Sequence, residues 1–78
     1  MKTVFWREGG NYYRIQTENP EIHKKLKRRN EAVLCDNGIN CPLWIYRLKY
    51  YSLKDAKVGF ERICDAPLKS QKNGVYYI

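Results

Sequence analysis

No stretch of this chain approaches the ~18 consecutive apolar residues of a membrane-spanning helix. The apolar opening is interrupted by Lys2 and then by Arg7 and Glu8, too short for the core of a secretory leader. The expected setting is the cytosol, with no membrane partner. Acids are scarce as well: eight Asp and Glu stand against fifteen Lys and Arg, a formal net charge of +7. Such an excess attracts phosphate backbones, anionic lipid or an acidic protein surface without choosing among them.

Metal-binding patterns are missing. Cys35, Cys41, Cys64 and the single His23 make a nominal zinc set, but no CxxC knuckle is present and eleven, five and twenty-two residues separate successive members. No metal and no other cofactor is expected. Cys35 and Cys41 bracket a hairpin loop and could approach each other, yet a cytosolic chain keeps them reduced, and all three thiols read as small, partly buried side chains. Catalytic patterns are missing too. The acids are scattered, and His23 lies among cations that disfavour its protonation and has no Cys or Asp partner at a diagnostic spacing. The expectation is a protein that is not an enzyme.

Aromatic residues are abundant. Seven Tyr, two Trp and two Phe within 78 residues, with 44% hydrophobic residues and a mean hydropathy of -0.71, describe a folded, water-compatible domain. At this length residues 1–78 form one domain with one small core. The richest run is Leu43 to Tyr51, LWIYRLKYY, which reads as a central strand. Alternation sends Trp44, Tyr46, Leu48 and Tyr50 to one face and Ile45, Arg47, Lys49 and Tyr51 to the other. One side is core and the other basic.

The remaining elements follow from local chemistry. Lys2 to Glu8 and Tyr12 to Thr17 read as a hairpin turning at Gly9, Gly10 and Asn11. Val4 and Trp6 are expected to share the core face with Tyr13 and Ile15, while Phe5 and Arg7 face outward beside Tyr12, Arg14 and Gln16. Asn19 caps a helix, Pro20 has the φ its first position needs, and the helix is expected to run to about Asn30 with a narrow stripe of Ile22 and Leu26. Glu31 to Cys35 reads as a strand, with Asp36, Asn37 and Gly38 as turn residues and a longer loop through Asn40 and Pro42. Ser52 caps a second helix with Asp55 at capping-box spacing, and Leu53, Ala56, Phe60, Ile63 and Cys64 form its inner face. Residues 66–74 read as a polar, flexible segment before Val75 to Ile78, which is expected to return as an edge strand or to order on a partner.

The two halves echo each other. Tyr13, Arg14 and Ile15 correspond to Tyr46, Arg47 and Leu48 at an offset of 33, which also relates the caps Asn19 and Ser52. Three letters are thin evidence of duplication. The topology that emerges is ββαββα, an α+β domain with a four-stranded antiparallel sheet, two helices on one face and a short C-terminal strand.

Two constellations follow from this layout. The open sheet face gathers Arg7, Arg14, Arg47 and Lys49 with Phe5, Tyr12, Ile45 and Tyr51, and rings among cations are how sheet modules hold single strands of DNA or RNA. The first helix adds Lys24, Lys25, Lys27, Arg28 and Arg29, which suit a phosphate backbone or the negative end of the helix dipole. It has no base-reading set, because Gln16, Asn19 and Asn30 lie off its central face. The same residues fit an acidic protein surface, as in a small phage or mobile-element inhibitor of a host machine. A homodimer built on strand edges or the C-terminal tail is compatible with either.

Overall fold

The computed structural model describes residues 2–36, 43–70 and 74–78. In chain order it contains β1 (Thr3–Gly9), β2 (Tyr12–Thr17), α1 (Pro20–Lys27), β3 (Val33–Asp36), β4 (Trp44–Lys49), α2 (Leu53–Cys64), β5 (Lys69–Ser70) and β6 (Tyr76–Tyr77). The strands form one antiparallel sheet in the order β3-β4-β2-β1-β6-β5. Ile22 and Leu26 of α1 and Ala56, Phe60 and Ile63 of α2 join Phe5, Tyr13, Ile15, Tyr46 and Leu48 in a single buried cluster, so both helices cover the same face. The ββαββα core with a short C-terminal strand is therefore the fold.

Several details depart from the sequence reading. The centre of the sheet is β2 and β1, and β4 lies one strand in from the β3 edge. The Val75 to Ile78 segment contributes β6, which is internal, paired to β1 on one side and to β5 on the other. Lys69–Ser70, within the segment read as polar and flexible, supplies that outer strand. Helix α1 stops at Lys27 instead of Asn30 because the Arg29 amide bonds back to the Leu26 carbonyl at 3.0 Å and the chain turns there. The turn and loop expected over residues 37–42, with Cys41, lie outside the described residues.

The largest departure is the facing of β1. Gly9 pairs with Tyr12 across a turn that Gly10 makes with a positive φ of 55°. Continued in that phase, Trp6 would oppose Ile15. Instead the register shifts between Arg7 and Gly9, so that Arg7 pairs with Tyr13, Trp6 with Arg14 and Phe5 with Ile15. One bulged residue exchanges the two faces of the strand. Phe5 is buried and Val4 and Trp6 stand on the open side, the reverse of the expectation.

Ring packing holds the helices to the sheet. Phe5 contacts Phe60 of α2 at 4.4 Å between centroids and Tyr76 of β6 at 4.9 Å. Tyr50, just past β4, meets Phe60 at 5.4 Å and Tyr13 at 6.0 Å. Burying such a side chain is worth about 1.5–3 kcal/mol. Tyr50 reaches this position because α2 has glycine at 59: a Cβ there would lie 2.7 Å from the Tyr50 ring carbons. Both helix starts follow their sequence signals. Asn19 Oδ1 accepts the Glu21 amide at 2.9 Å and Ser52 Oγ accepts the Asp55 amide at 3.2 Å. Leu53, expected on the inner face of α2, is 40% exposed in its first turn.

Candidate nucleic-acid interface

Antiparallel pairing fixes which side chains stand side by side on the sheet face opposite the helices. Across the middle runs the row Val33, Arg47, Arg14 and Trp6, one residue from each of β3, β4, β2 and β1. On one side of it lies Ile45, Gln16, Val4, Tyr77 and Lys69, and on the other Lys49 opposite Tyr12. The result is a surface in which two adjacent arginines and Lys49 stand among rings and apolar side chains. No helix among the described residues covers it.

Arg14 and Arg47 are direct cross-strand partners, and like charges so placed destabilise a sheet. Two neighbours moderate the repulsion. Glu8 Oε1 pairs with Arg14 Nη2 at 3.0 Å, and the Arg47 guanidinium lies over the Tyr12 ring at 5.1 Å. The hydrogen bond from Arg14 holds the Glu8 carboxyl below its usual range, and the charges of Arg14 and Arg47 add to that. Glu8 pairs with Arg14 alone among the described residues. Arg14 Nε is shielded and has no hydrogen-bond partner among the described residues.

The structure brings Tyr12, Arg14, Arg47, Lys49 and Ile45 together as expected and removes three residues from that set. Arg7 pairs with Tyr13 on the helix-side face of β1, and its Nε donates to the Gly10 carbonyl at 2.8 Å. Phe5 is core. Tyr51 lies beyond the end of β4 and lines a cleft against α2. Trp6, Tyr77 and Lys69 belong to the surface and were missed, Trp6 because of the bulge and the other two because pairing of β5 and β6 leaves little mark in so short a stretch.

Lys24, Lys25 and Lys27 are exposed on α1 and Arg28 at its C-cap, and α1 packs on the opposite face of the sheet. Arg29 is half-buried and pairs with Glu31 at 3.3 Å. The two basic constellations are separated by the thickness of the domain and do not form one surface.

His23 faces inward from α1. Its ring stacks on Trp44 at 4.2 Å between centroids, and its Nδ1 lies 3.0 Å from the Tyr46 hydroxyl. Burial, and secondarily the charge of Lys27, push its pKa below the ordinary value. The neighbouring cations alone gave the direction in the sequence, and the larger cause, desolvation, shows only in the fold. Cys35 is exposed, Cys64 is half-buried with its thiol pushed up to about 11 by burial, and neither is in a disulfide. Among the described residues no cluster of His, Cys, Asp and Glu could hold a metal ion, and no helix is long and apolar enough to cross a membrane.

No protein-family model matches the chain, and no curated protein or solved structure matches it. Function has to be read from the residues themselves.

Proposed function

We propose that this domain is a non-enzymatic binding protein that holds single-stranded nucleic acid, DNA or RNA, on the open face of its sheet. The observation that carries the reading is the Arg14–Arg47 pair, two cations set opposite each other on adjacent strands, of which only Arg14 has an ion-pair partner, Glu8, among the described residues. A sheet gains nothing from that arrangement on its own. A phosphate backbone crossing the pair would supply the missing negative charge, with Trp6 and Tyr12 flanking it as surfaces on which bases stack. Phosphate contacts and stacking are tolerant of sequence, so binding is weakly sequence-dependent and steeply salt-dependent. The exposed cations of α1, on the far side, contribute long-range attraction and no direct contact to a short strand.

Binding of nuclease-treated protein to labelled single- and double-stranded oligonucleotides across a salt series tests this. The expected result is preference for single strands, with affinity falling as salt rises and the slope reduced by about 1.4 in the Arg14→Gln, Arg47→Gln double variant, about 0.7 for each phosphate that is no longer neutralised. Equal binding by the double variant would remove the sheet face as the site. Absence of binding at low salt would favour an acidic protein surface as the partner of the same residues.

A further inference from the structure

A second concentration of positive charge lies away from the sheet face. Between the end of β4, the chain after α1 and the outer flank of α2 is a cleft of about 440 Å3 whose lining carries Arg29, Lys49, Lys54 and Arg62 against a single carboxylate, Asp55. These cations come from three separate stretches of chain, so no local periodicity explains their convergence. Arg29 is partly neutralised by Glu31 at 3.3 Å, whereas Lys49, Lys54 and Arg62 have no ion pair among the described residues. The floor is built by the close approach of Tyr50 to Gly59, an approach that any side chain at 59 would block. The Tyr50 hydroxyl is shielded from solvent and has no hydrogen-bond partner among the described residues. At the mouth stands Tyr51, 87% exposed.

We propose that this cleft is a binding site for a phosphate group, carried either by a free nucleotide or by the end of a nucleic-acid strand. Ammonium and guanidinium groups around one opening match the charge of a terminal phosphate, and guanidinium adds paired donors to its oxygens. Tyr51 offers a ring face to the base attached to that phosphate. The cleft lies within the size range of small-ligand sites. It shares only Lys49 with the sheet surface and does not depend on that surface binding anything.

The test is titration of isotope-labelled protein with inorganic pyrophosphate, followed by amide chemical shifts. Saturable shifts confined to Arg29, to Lys49 through Gly59 and to Arg62 are expected. Lys54→Gln with Arg62→Gln, both exposed on α2 and replaceable without loss of core, should weaken binding about tenfold or more. Lys24→Gln with Arg28→Gln should leave it within about twofold, because those residues lie outside the cleft. Shifts spread as strongly along α1, or unchanged affinity in the Lys54, Arg62 variant, would overturn the proposal. Matched oligonucleotides with and without a 5′ phosphate then separate the sources. Selective shifts from the phosphorylated strand assign the site to strand ends, and shifts from a mononucleotide alone assign it to a free nucleotide. Pyrophosphate binding that survives Arg14→Gln with Arg47→Gln keeps the cleft even where the sheet reading fails, and the converse holds for oligonucleotide binding in the Lys54, Arg62 variant.

Discussion

The open sheet face and the outer face of α1 are both basic, yet they hold their charges differently. On the α1 side, Lys24, Lys25 and Lys27 extend from a single helix of eight residues and Arg28 from its C-cap, with their stems in water. On the sheet, Arg14 and Arg47 are locked into register by backbone pairing and steadied by Glu8 and the Tyr12 ring. Held cations lose less conformational freedom when they meet a ligand, whereas free ones must be ordered first. Net charge sees the two faces as equals. Backbone register and ring placement distinguish them.

The contrast between the faces rests first on which side of β1 is outside, and the largest effect tests that. Phe5→Ala should cost about 3–5 kcal/mol in denaturant unfolding, enough to threaten a domain of this size, while Trp6→Ala, one residue along, should cost much less. Equal losses would undo the face assignment. Trp6→Ala should instead weaken single-strand binding about 5- to 150-fold, the range of a stacked base worth about 1–3 kcal/mol, in a fluorescence anisotropy titration. Replacing Lys24 and Lys25 by Gln should change affinity only a few-fold at low salt and negligibly at physiological salt. A loss as large as that from the Trp6 change would make α1 the primary contact.

Smaller effects sharpen the contrast. Arg47→Thr should leave thermal stability unchanged or raise it by a few tenths of a kcal/mol, because it relieves a like-charge pair and supplies a good strand former, even as it weakens binding. A clear loss of stability would mean that the pair is structural. On the α1 side, His23 has a folded-state pKa below its unfolded value, so the unfolded chain takes up the proton first as pH falls. The stability it contributes is present above about pH 6.5 and is lost as pH falls through that value toward the folded pKa. Unfolding midpoints of wild type and His23→Gln should therefore diverge less at acid pH than at neutral pH.

The fold was legible in the sequence wherever a residue has one use. Asn19–Pro20 and Ser52 mark the starts of α1 and α2, and Ile22, Leu26, Ala56, Phe60 and Ile63 lie inward as their spacing predicts. Legibility failed in β1, where Val4, Phe5 and Trp6 are consecutive apolar residues and alternation cannot choose a face. The choice belongs to the bulge before Gly9, a property of the paired hairpin. It failed again at Lys69–Ser70, whose polar residues join the sheet through backbone pairing. For the candidate site, Arg14, Arg47, Lys49 and Tyr12 were found because they alternate against a strongly apolar partner set. The cleft was invisible because Arg29, Lys54 and Arg62 meet only in three dimensions.

The pairing of β2 with β4 carries one more consequence. Tyr13 lies opposite Leu48, Arg14 opposite Arg47 and Ile15 opposite Tyr46, so the two echoing triplets are related by a local twofold axis passing between the arginines. A strand laid across that axis would meet the same pair of guanidiniums whichever way its sugar-phosphate polarity ran. The surroundings differ: Trp6 beside Arg14 takes the place that Val33 holds beside Arg47, and Tyr12 and Lys49 stand where the axis would put Ile45 and Gln16. Whatever sense of direction this surface has comes from these unmatched neighbours, the Trp6 and Tyr12 rings and the Lys49 charge, and not from the arginines themselves.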